Sequence, residues 1–208
     1  MIDFAVIGSG ISGATISNKL NQKYSVKVFE KAKGVGGRSS FKRYKDKIGF
    51  DHGLQYISPR SRDFKSFAKK LIKKRVIKHW IGNHEFLNEK VKRDKKHVKL
   101  IGVRGNNDIS KHLLKNVNCD FQSELSEIER QKDYWTLKFK DNSVIYSKNL
   151  IITAPFPQVK KLVSKFTKTK LFRNKVKMNS SLTVLLITNK TGCKLSSFFT
   201  NDNILGWV

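Results

Sequence analysis

The hydrophobic pattern at the start of the chain predicts a strand, a helix and a second strand. Residues 4–7 form an apolar run, and residues 11–20 carry apolar side chains at the spacing of one helix face. A second apolar run, residues 26–29, ends on the acidic residue Glu30. This order is typical of a βαβ unit, so the chain is predicted to begin as an α/β fold.

The turn between the first strand and the helix has the sequence Gly8-Ser9-Gly10-Ile11-Ser12-Gly13. In this position the pattern is the fingerprint of a dinucleotide-binding unit. Gly8 allows the tight turn, Gly10 lets the backbone approach a pyrophosphate, and Gly13 lets the helix pack close to the strand. Glu30 follows about 20 residues later, where its carboxylate can accept hydrogen bonds from ribose hydroxyls. The alternative is a glycine turn in an α/β fold that binds no nucleotide.

A second glycine-rich stretch follows Glu30. Lys31 leads into Gly34-Val35-Gly36-Gly37-Arg38, where the glycines let the backbone pass close to a ligand. Arg38 can offer a forked donor to a phosphate or to a flavin carbonyl, and the alternative is a solvated surface arginine.

The middle of the chain predicts one hairpin and two helices. Residues 40–50 are hairpin-like, and residues 62–77 repeat apolar side chains at the spacing of an amphipathic helix. Residues 77–99 are predicted to be short strands or a loop. A second helix is predicted at 108–117, with Asn107 or Asp108 as its N-cap.

The last ninety residues predict mainly strands. Alternation between 119 and 146 predicts a β-meander with strands near 121–128, 134–139 and 144–146. A separate apolar strand, 149–153, ends at the Thr153-Ala154-Pro155 turn and precedes an amphipathic helix. Residues 178–188 are predicted to be β-rich.

Composition narrows the class of protein. The formal net charge of the 208 residues is +27, which raises the hypothesis of nucleic-acid or anionic-membrane binding. The excess of positive charge comes mostly from lysines, which are spread over several predicted helices. We therefore interpret them as solvent-exposed helix faces and predict no specific nucleic-acid partner. Cys119 and Cys193 lack metal-ligand spacing and fit a reduced, cytoplasmic setting. The run 182–187 is too short to span a bilayer.

Two motifs together resemble a known family. Glu30 followed by Gly36-Gly37-Arg38 resembles the flavin amine oxidase superfamily, and its continuation through Asp51-His52-Gly53-Leu54-Gln55-Tyr56 resembles the renalase-type branch. The resemblance implies an α/β, Rossmann-like FAD/NAD(P)-binding domain with a β-meander and part of an inserted α+β substrate domain. It also implies FAD as the cofactor.

The motifs and the resemblance give a set of predicted cofactor-binding residues, namely Gly8, Ser9, Gly10, Ile11, Ser12, Gly13, Glu30, Lys31, Gly36, Gly37, Arg38 and Leu125. The resemblance places His52, Gln55 and Tyr56 near the flavin ring, and Leu125 on a strand that holds the adenine through backbone groups. An ordinary meander without ligand contact is the alternative for Leu125. Neither a catalytic residue nor a metal site is assigned.

The predicted domain organisation alternates between two lobes. Residues 1–56 are assigned to the FAD-binding core, 57–100 to part of a substrate lobe, 101–165 to the FAD-binding domain again, and 166–208 to the substrate lobe. Members of the family continue beyond this point and supply a second FAD contact, so the resemblance implies a C-terminally truncated chain.

The predicted function is an FAD-dependent oxidoreductase of the amine oxidase/renalase type. A hydride would pass to the flavin from a small amine or from a dihydronicotinamide-type substrate, which would be a dinucleotide. Oxygen would then accept the electrons from the flavin. An NAD-dependent dehydrogenase is a further enzymatic alternative. The non-enzymatic alternatives are a truncated fragment that only binds flavin and a basic nucleic-acid-associated protein. The sequence leaves the oligomeric state open.

Overall fold

A six-stranded sheet lies at the centre of the computed structural model, which describes residues 1–45, 48–87, 98–166, 177–189, 192–200 and 205–208. The strands are β1 Ile2–Ile7, β2 Val26–Glu30, β3 Phe41–Lys45, β4 Ile48–Asp51, β5 Ile77–His79, β6 Asn83–Leu87, β7 Leu100–Gly102, β8 Asn118–Phe121, β9 Leu125–Arg130, β10 Trp135–Phe139, β11 Val144–Ile152 and β12 Leu195–Thr200. The helices are α1 Ile11–Leu20, α2 Arg62–Lys73, α3 Asp108–Leu113 and α4 Phe156–Val163, and residues Gly37–Ser39 form a 3-10 turn.

The strand order in the central sheet is β8-β2-β1-β11-β10-β9. The first four strands run parallel, and β11, β10 and β9 form an antiparallel meander. Because the parallel strands share one direction, their carboxyl ends meet at the same edge, which is where ligands bind in open α/β sheets. The fold is therefore the predicted α/β class, with a Rossmann-like parallel core and a β-meander.

Alternate residues of β1 face two separate hydrophobic clusters. Val6 packs with residues of α1, α2 and α3 on one face of the sheet. Ala5 and Ile7 pack on the other face with the meander, and Leu162 of α4 joins that cluster. Ala5 and Val6 are completely buried, which explains why β1 is an unbroken apolar run rather than an alternating one.

The strand predictions need three corrections. Residues 118–121 do not belong to the meander, because β8 pairs in parallel with β2. The strands predicted at 144–146 and 149–153 are one strand, β11, which continues through the fully buried Ser147. The prediction that 178–188 is β-rich is wrong, since these residues carry no strand.

The first helix prediction matches α1 in its bounds, whereas the predictions for α2 and α3 are correct in position but too long. α2 ends at Lys73, and Arg75 follows with φ 54°, which redirects the chain into β5. Asn107 lies at the N-cap position of α3, as predicted, although its side chain makes no capping hydrogen bond. α3 ends at Leu113, while the predicted helix extended to residue 117.

The buried Asn106 connects the loop before α3 to the segment after β4. Its Oδ1 accepts the N–H of Gly102 at 2.9 Å, and its Nδ2 donates to the carbonyl of Leu54 at 2.6 Å. Its own N–H donates to Oδ1 of Asp51 at 2.7 Å. These bonds fix residues 51–55 against the core although that segment carries almost no regular structure.

The two predicted parts of a substrate lobe meet in one small sheet. β12 pairs in parallel with β6, joining residue ranges 195–200 and 83–87. Other parts of these predicted lobes, including 88–97 and 167–176, lie outside the described residues. The domain boundaries therefore stay a prediction.

Candidate functional site

The turn after β1 directs the chain from the sheet into α1. Gly8 has φ +101°, a conformation that L side chains rarely adopt, and its N–H donates to the carbonyl of Phe29 at 2.9 Å. Gly10 is the N-cap of α1, with φ −65° and ψ 178°. The free N–H groups of the first helical turn therefore lie at the carboxyl edge of the parallel strands.

Gly13 allows α1 to pack directly on this turn. A Cβ at Gly13 would overlap the carbonyl oxygen of Gly8, and it would lie 2.9 Å from Oγ1 of Thr153. Thr153 itself donates to the carbonyl of Ile7 at 2.9 Å. Helix, turn and the end of β11 are thus held together around a position that only glycine fits.

Glu30 ends β2 beside the same turn and is largely buried. Its Oε2 accepts the backbone N–H and the hydroxyl of Ser9, each at 2.8 Å, and its Oε1 accepts the N–H of Ala32 at 2.9 Å. The carboxylate therefore has a structural role in addition to the predicted contact with ribose.

The second glycine-rich loop packs against the first turn. Gly36 has φ +127°, its N–H donates to the carbonyl of Ser9 at 3.2 Å, and it bridges to Gly10. A Cβ at Gly36 would approach Cβ of Asn107 to 2.9 Å, so α3 also fixes the position of this loop.

Both glycine loops, the meander and α4 enclose a cavity of about 700 Å³. Its lining residues are Ile7, Gly8, Gly10, Ile11, Ser12, Glu30, Lys31, Gly36, Gly37, Arg38, Ser39, Leu54, Ser123, Glu124, Leu125, Ser126, Lys140, Thr153, Ala154, Pro155, Gln158, Lys161 and Leu162. The cavity lies at the carboxyl ends of β1 and β2 and extends along β9. Its size is in the range of small-molecule and cofactor sites.

Most predicted cofactor-binding residues line this cavity, and two do not. Ser9 is fully buried behind the turn, and Gly13 packs in the core. The structure thus separates residues that can contact a ligand from residues that position them.

Gly10 is a glycine that the protein's own packing does not require. Its φ and ψ are accessible to any residue. A Cβ built there would find its nearest neighbours, the carbonyl oxygen of Gly36 and Cα of Gly37, at 3.8 and 4.0 Å, which is ordinary contact. Because Gly10 lines the cavity, the missing side chain leaves room for a group that approaches the backbone closely.

The three residues predicted near a flavin ring do not line this cavity, although their neighbour Leu54 does. Nε2 of His52 lies 3.1 Å from Oγ of Ser40, and the imidazole lines a smaller, open pocket of about 350 Å³. Tyr56 packs its ring against Trp80 and Phe199. The backbone carbonyl of Gln55 accepts from Nδ2 of Asn106 at 3.3 Å.

Sequence patterns missed the polar residues at the end of the cavity formed by β9, β10 and α4. Gln158 and Lys161 are three residues apart, so they share one face of α4. Lys140 pairs with Glu124 at 2.9 Å. The helical spacing after Pro155 was the available signal for Gln158 and Lys161, whereas Lys140 and Glu124 meet only through the pairing of strands.

The charged residues of the lining are mainly basic. Lys31, Arg38, Lys140 and Lys161 line the cavity together with the acidic residues Glu30 and Glu124. A lining of this kind, added to the N-terminus of α1, favours an anionic ligand such as a pyrophosphate.

The titratable groups that the structure describes outside this lining do not favour a nucleophile or a metal site. Burial raises the pKa of the Cys119 thiol to about 11, which makes it a poor nucleophile at neutral pH. Burial also raises the pKa of Asp51. Within the described ranges, no group of three or more His, Cys, Asp or Glu side chains could hold a metal ion. Across those same ranges, no helix has the length and apolar character needed to cross a membrane.

A family model and a solved structure agree with this fold. Residues 6–71 match the family described as NAD(P)-binding Rossmann-like domain. A segment of 54 residues is 43% identical to the uncharacterised protein MJ1450 of Methanocaldococcus jannaschii and covers 26% of this chain and 14% of that protein. The crystal structure of the tetracycline destructase Tet(51) superposes with a TM-score of 0.53 at 17% identity, over 81% of this chain and 42% of the destructase. The chain thus aligns with less than half the length of either protein.

Proposed function

We propose that the cavity binds FAD and that the chain forms the nucleotide-binding part of an oxidoreductase. The observation that carries the proposal is Gly10, which lines the cavity and whose missing Cβ the protein's own packing does not explain. The match of residues 6–71 to a Rossmann-like dinucleotide-binding family supports the same ligand class.

The residues that line the cavity fit the parts of FAD. The N–H groups at the start of α1 and the Gly36–Gly37 backbone would hold the pyrophosphate, aided by Arg38. Glu30 would accept from the adenosine ribose, and the strand that contains Leu125 would contact the adenine. When bound, FAD supplies a hydride acceptor for a small amine or a dihydronicotinamide-type substrate, with oxygen as the final acceptor.

Binding of FAD is tested by titrating the purified chain and following flavin absorbance and fluorescence. We expect saturable binding, which Glu30→Ala weakens because the ribose loses a charge-assisted acceptor and because Ser9 and Ala32 lose theirs. Lys27→Ala is a matched control, because Lys27 lies on the same strand and pairs with Asp120 outside the cavity. A folded chain that takes up no FAD would refute the proposal, and full affinity in Glu30→Ala would refute the ribose contact.

A flavin-binding module without catalysis is the second candidate. It is favoured by the position of His52, Gln55 and Tyr56, none of which lines the cavity. Anaerobic addition of reduced nicotinamide compounds to the FAD-loaded chain separates the two candidates. Bleaching of the flavin absorbance supports the oxidoreductase, and bound flavin that stays oxidised supports the module.

A further inference from the structure

The backbone N–H and the hydroxyl of Ser9 both donate to the same oxygen of Glu30. The side chain is completely buried, and its N–H and O–H each lie 2.8 Å from Oε2. The N–H of Ala32 donates to Oε1 at 2.9 Å. Glu30 therefore arrives at the cavity with three hydrogen bonds already made inside the protein.

This arrangement limits what the carboxylate can still accept. An ionised carboxylate has about four acceptor positions, two on each oxygen. Both positions of Oε2 are used by Ser9, and one position of Oε1 is used by Ala32. After the bonds from these described residues, the second position of Oε1 is left for a ligand.

The Ser9 hydroxyl cannot easily give up its place. Its side chain has no exposed surface, so water cannot replace Glu30 as its acceptor. A buried hydroxyl that loses its partner keeps its full desolvation cost. The bond to Oε2 should therefore persist when a ligand binds.

We propose that Ser9 is a positioning residue that restricts Glu30 to one hydroxyl of the ligand's ribose. With both oxygens available, a carboxylate could accept from both neighbouring ribose hydroxyls at once. With Oε2 filled by Ser9, Glu30 distinguishes the two hydroxyls and accepts from one of them through Oε1. The inference rests on the proposed function, since it requires an adenosine ribose beside Glu30.

The experiment uses ADP, 2′-deoxy-ADP and 3′-deoxy-ADP as ligands in calorimetric titrations of the purified chain. In the unsubstituted chain, one deoxy analogue should bind about 10-fold more weakly than ADP, and the other within about twofold of ADP. In Ser9→Ala, a position on Oε2 becomes free, so both analogues should bind more weakly than ADP. A merely structural role for Ser9 would lower all three affinities equally and leave their ratios unchanged.

Ser17→Ala is the matched control, because it removes another buried hydroxyl from the same region, on α1. It should leave the three affinity ratios as they are in the unsubstituted chain. Thermal unfolding of each variant shows that it is folded, and Ser9→Gly, which deletes the same hydroxyl, should repeat the Ser9→Ala ratios.

Three results would overturn the inference. Comparable losses with both analogues in the unsubstituted chain would show that Glu30 accepts from both hydroxyls despite Ser9. Unchanged ratios in Ser9→Ala, or FAD binding without ADP binding, would contradict the role of Ser9 while leaving the proposed function intact. Binding of neither ADP nor FAD would overturn the inference together with the proposed function.

Discussion

The turn at residues 8–13 has two sides, one facing the core and one facing the cavity, and they differ in how tightly they are packed. On the core side, a Cβ at Gly13 would overlap the carbonyl of Gly8, and Thr153 closes the space from β11. On the cavity side, a Cβ at Gly10 would find its nearest neighbour in the described part of the chain at 3.8 Å. The two glycines are three residues apart in one motif, yet only Gly13 is required by the packing of the protein.

This difference separates two explanations of the motif that its sequence combines. A nucleotide-free α/β fold would still need Gly8 and Gly13, because φ and packing demand them. Gly10 would be free to vary in such a fold, since its φ and ψ suit any residue. Under the proposed function, the glycine at position 10 leaves room for a ligand that contacts the backbone. Substitution of Gly13 should therefore lower the stability of the fold, whereas substitution of Gly10 should lower the affinity for the ligand.

The largest expected effect comes from Gly13→Ala on the core side. The new methyl must displace the backbone of Gly8 rather than a flexible side chain, so we expect a loss of about 3 kcal/mol in the free energy of unfolding. Urea unfolding followed by circular dichroism measures it. Gly34→Ala is the control, because a Cβ there has no neighbour within 4 Å among the described residues. Equal stability of the two variants would contradict the packing of α1 on the turn.

Gly10→Ala should have the converse effect. Its free energy of unfolding should stay within about 1 kcal/mol of the unsubstituted chain, the range of an N-cap change. Its affinity for ADP should fall at least about tenfold, which corresponds to about 1.4 kcal/mol, because the methyl occupies space that the pyrophosphate needs. Calorimetric titration with ADP measures this, and unchanged affinity would remove the main support for a ligand on the cavity side.

The core side also contains a hydroxyl that contributes no hydrogen bond. Ser17 on α1 is completely buried, and its Oγ has no partner among the residues described. Ser17→Ala should therefore raise the free energy of unfolding by up to about 1 kcal/mol, since it removes an unsatisfied polar atom and improves helix propensity. Chemical denaturation tests this. A loss of stability would show that the hydroxyl has an acceptor in solution.

The core side was largely predictable from the sequence, and the cavity side only in part. Local periodicity identifies β1, α1 and β2, because each buries its apolar side chains at the period of its own secondary structure. The assignment of 119–121 to the meander failed for a physical reason. Four residues that pair in parallel with β2 have the same local pattern as a strand of a meander, and only the three-dimensional path distinguishes them.

The cavity lining shows the same limit. Gly10, Glu30 and Arg38 lie in motifs that are continuous along the chain, so the sequence predicts them as ligand-binding residues. Lys140 follows β10 and Gln158 lies on α4, so their positions in the lining depend on how the meander and α4 fold beside the turn. The hydrogen bonds from Ser9 and Ala32 to Glu30 were also not predictable, because the spacing of these residues along the chain does not show which groups the carboxylate accepts from.

A pH-dependent effect on stability is expected at Asp51, a partly buried carboxylate at the end of β4 that accepts from the N–H of Asn106. Burial raises its pKa, and the neighbouring Asp108 acts in the same direction, while the N–H of Asn106 acts against them. A folded-state pKa above the ordinary value of about 3.9 means that ionised Asp51 destabilises the fold. This cost is absent below about pH 4, grows as the pH rises through the folded-state pKa, and is complete above it.

Asp51→Asn should remove that cost and keep the hydrogen bond, because the amide oxygen can still accept from Asn106. The variant should therefore gain stability relative to the unsubstituted chain at pH 7, and the gain should vanish near pH 3. Asp51→Ala serves as the control, since it loses the acceptor and should be less stable at both values. A gain for Asp51→Asn that is independent of pH would show that the charge of Asp51 is not its cause.

Affinity for ADP should change in neither Asp51 variant, because Asp51 does not line the cavity. A change in affinity would mean that the hydrogen bonds of Asn106 affect the cavity. Stability and ligand binding would then not be controlled by separate sets of residues.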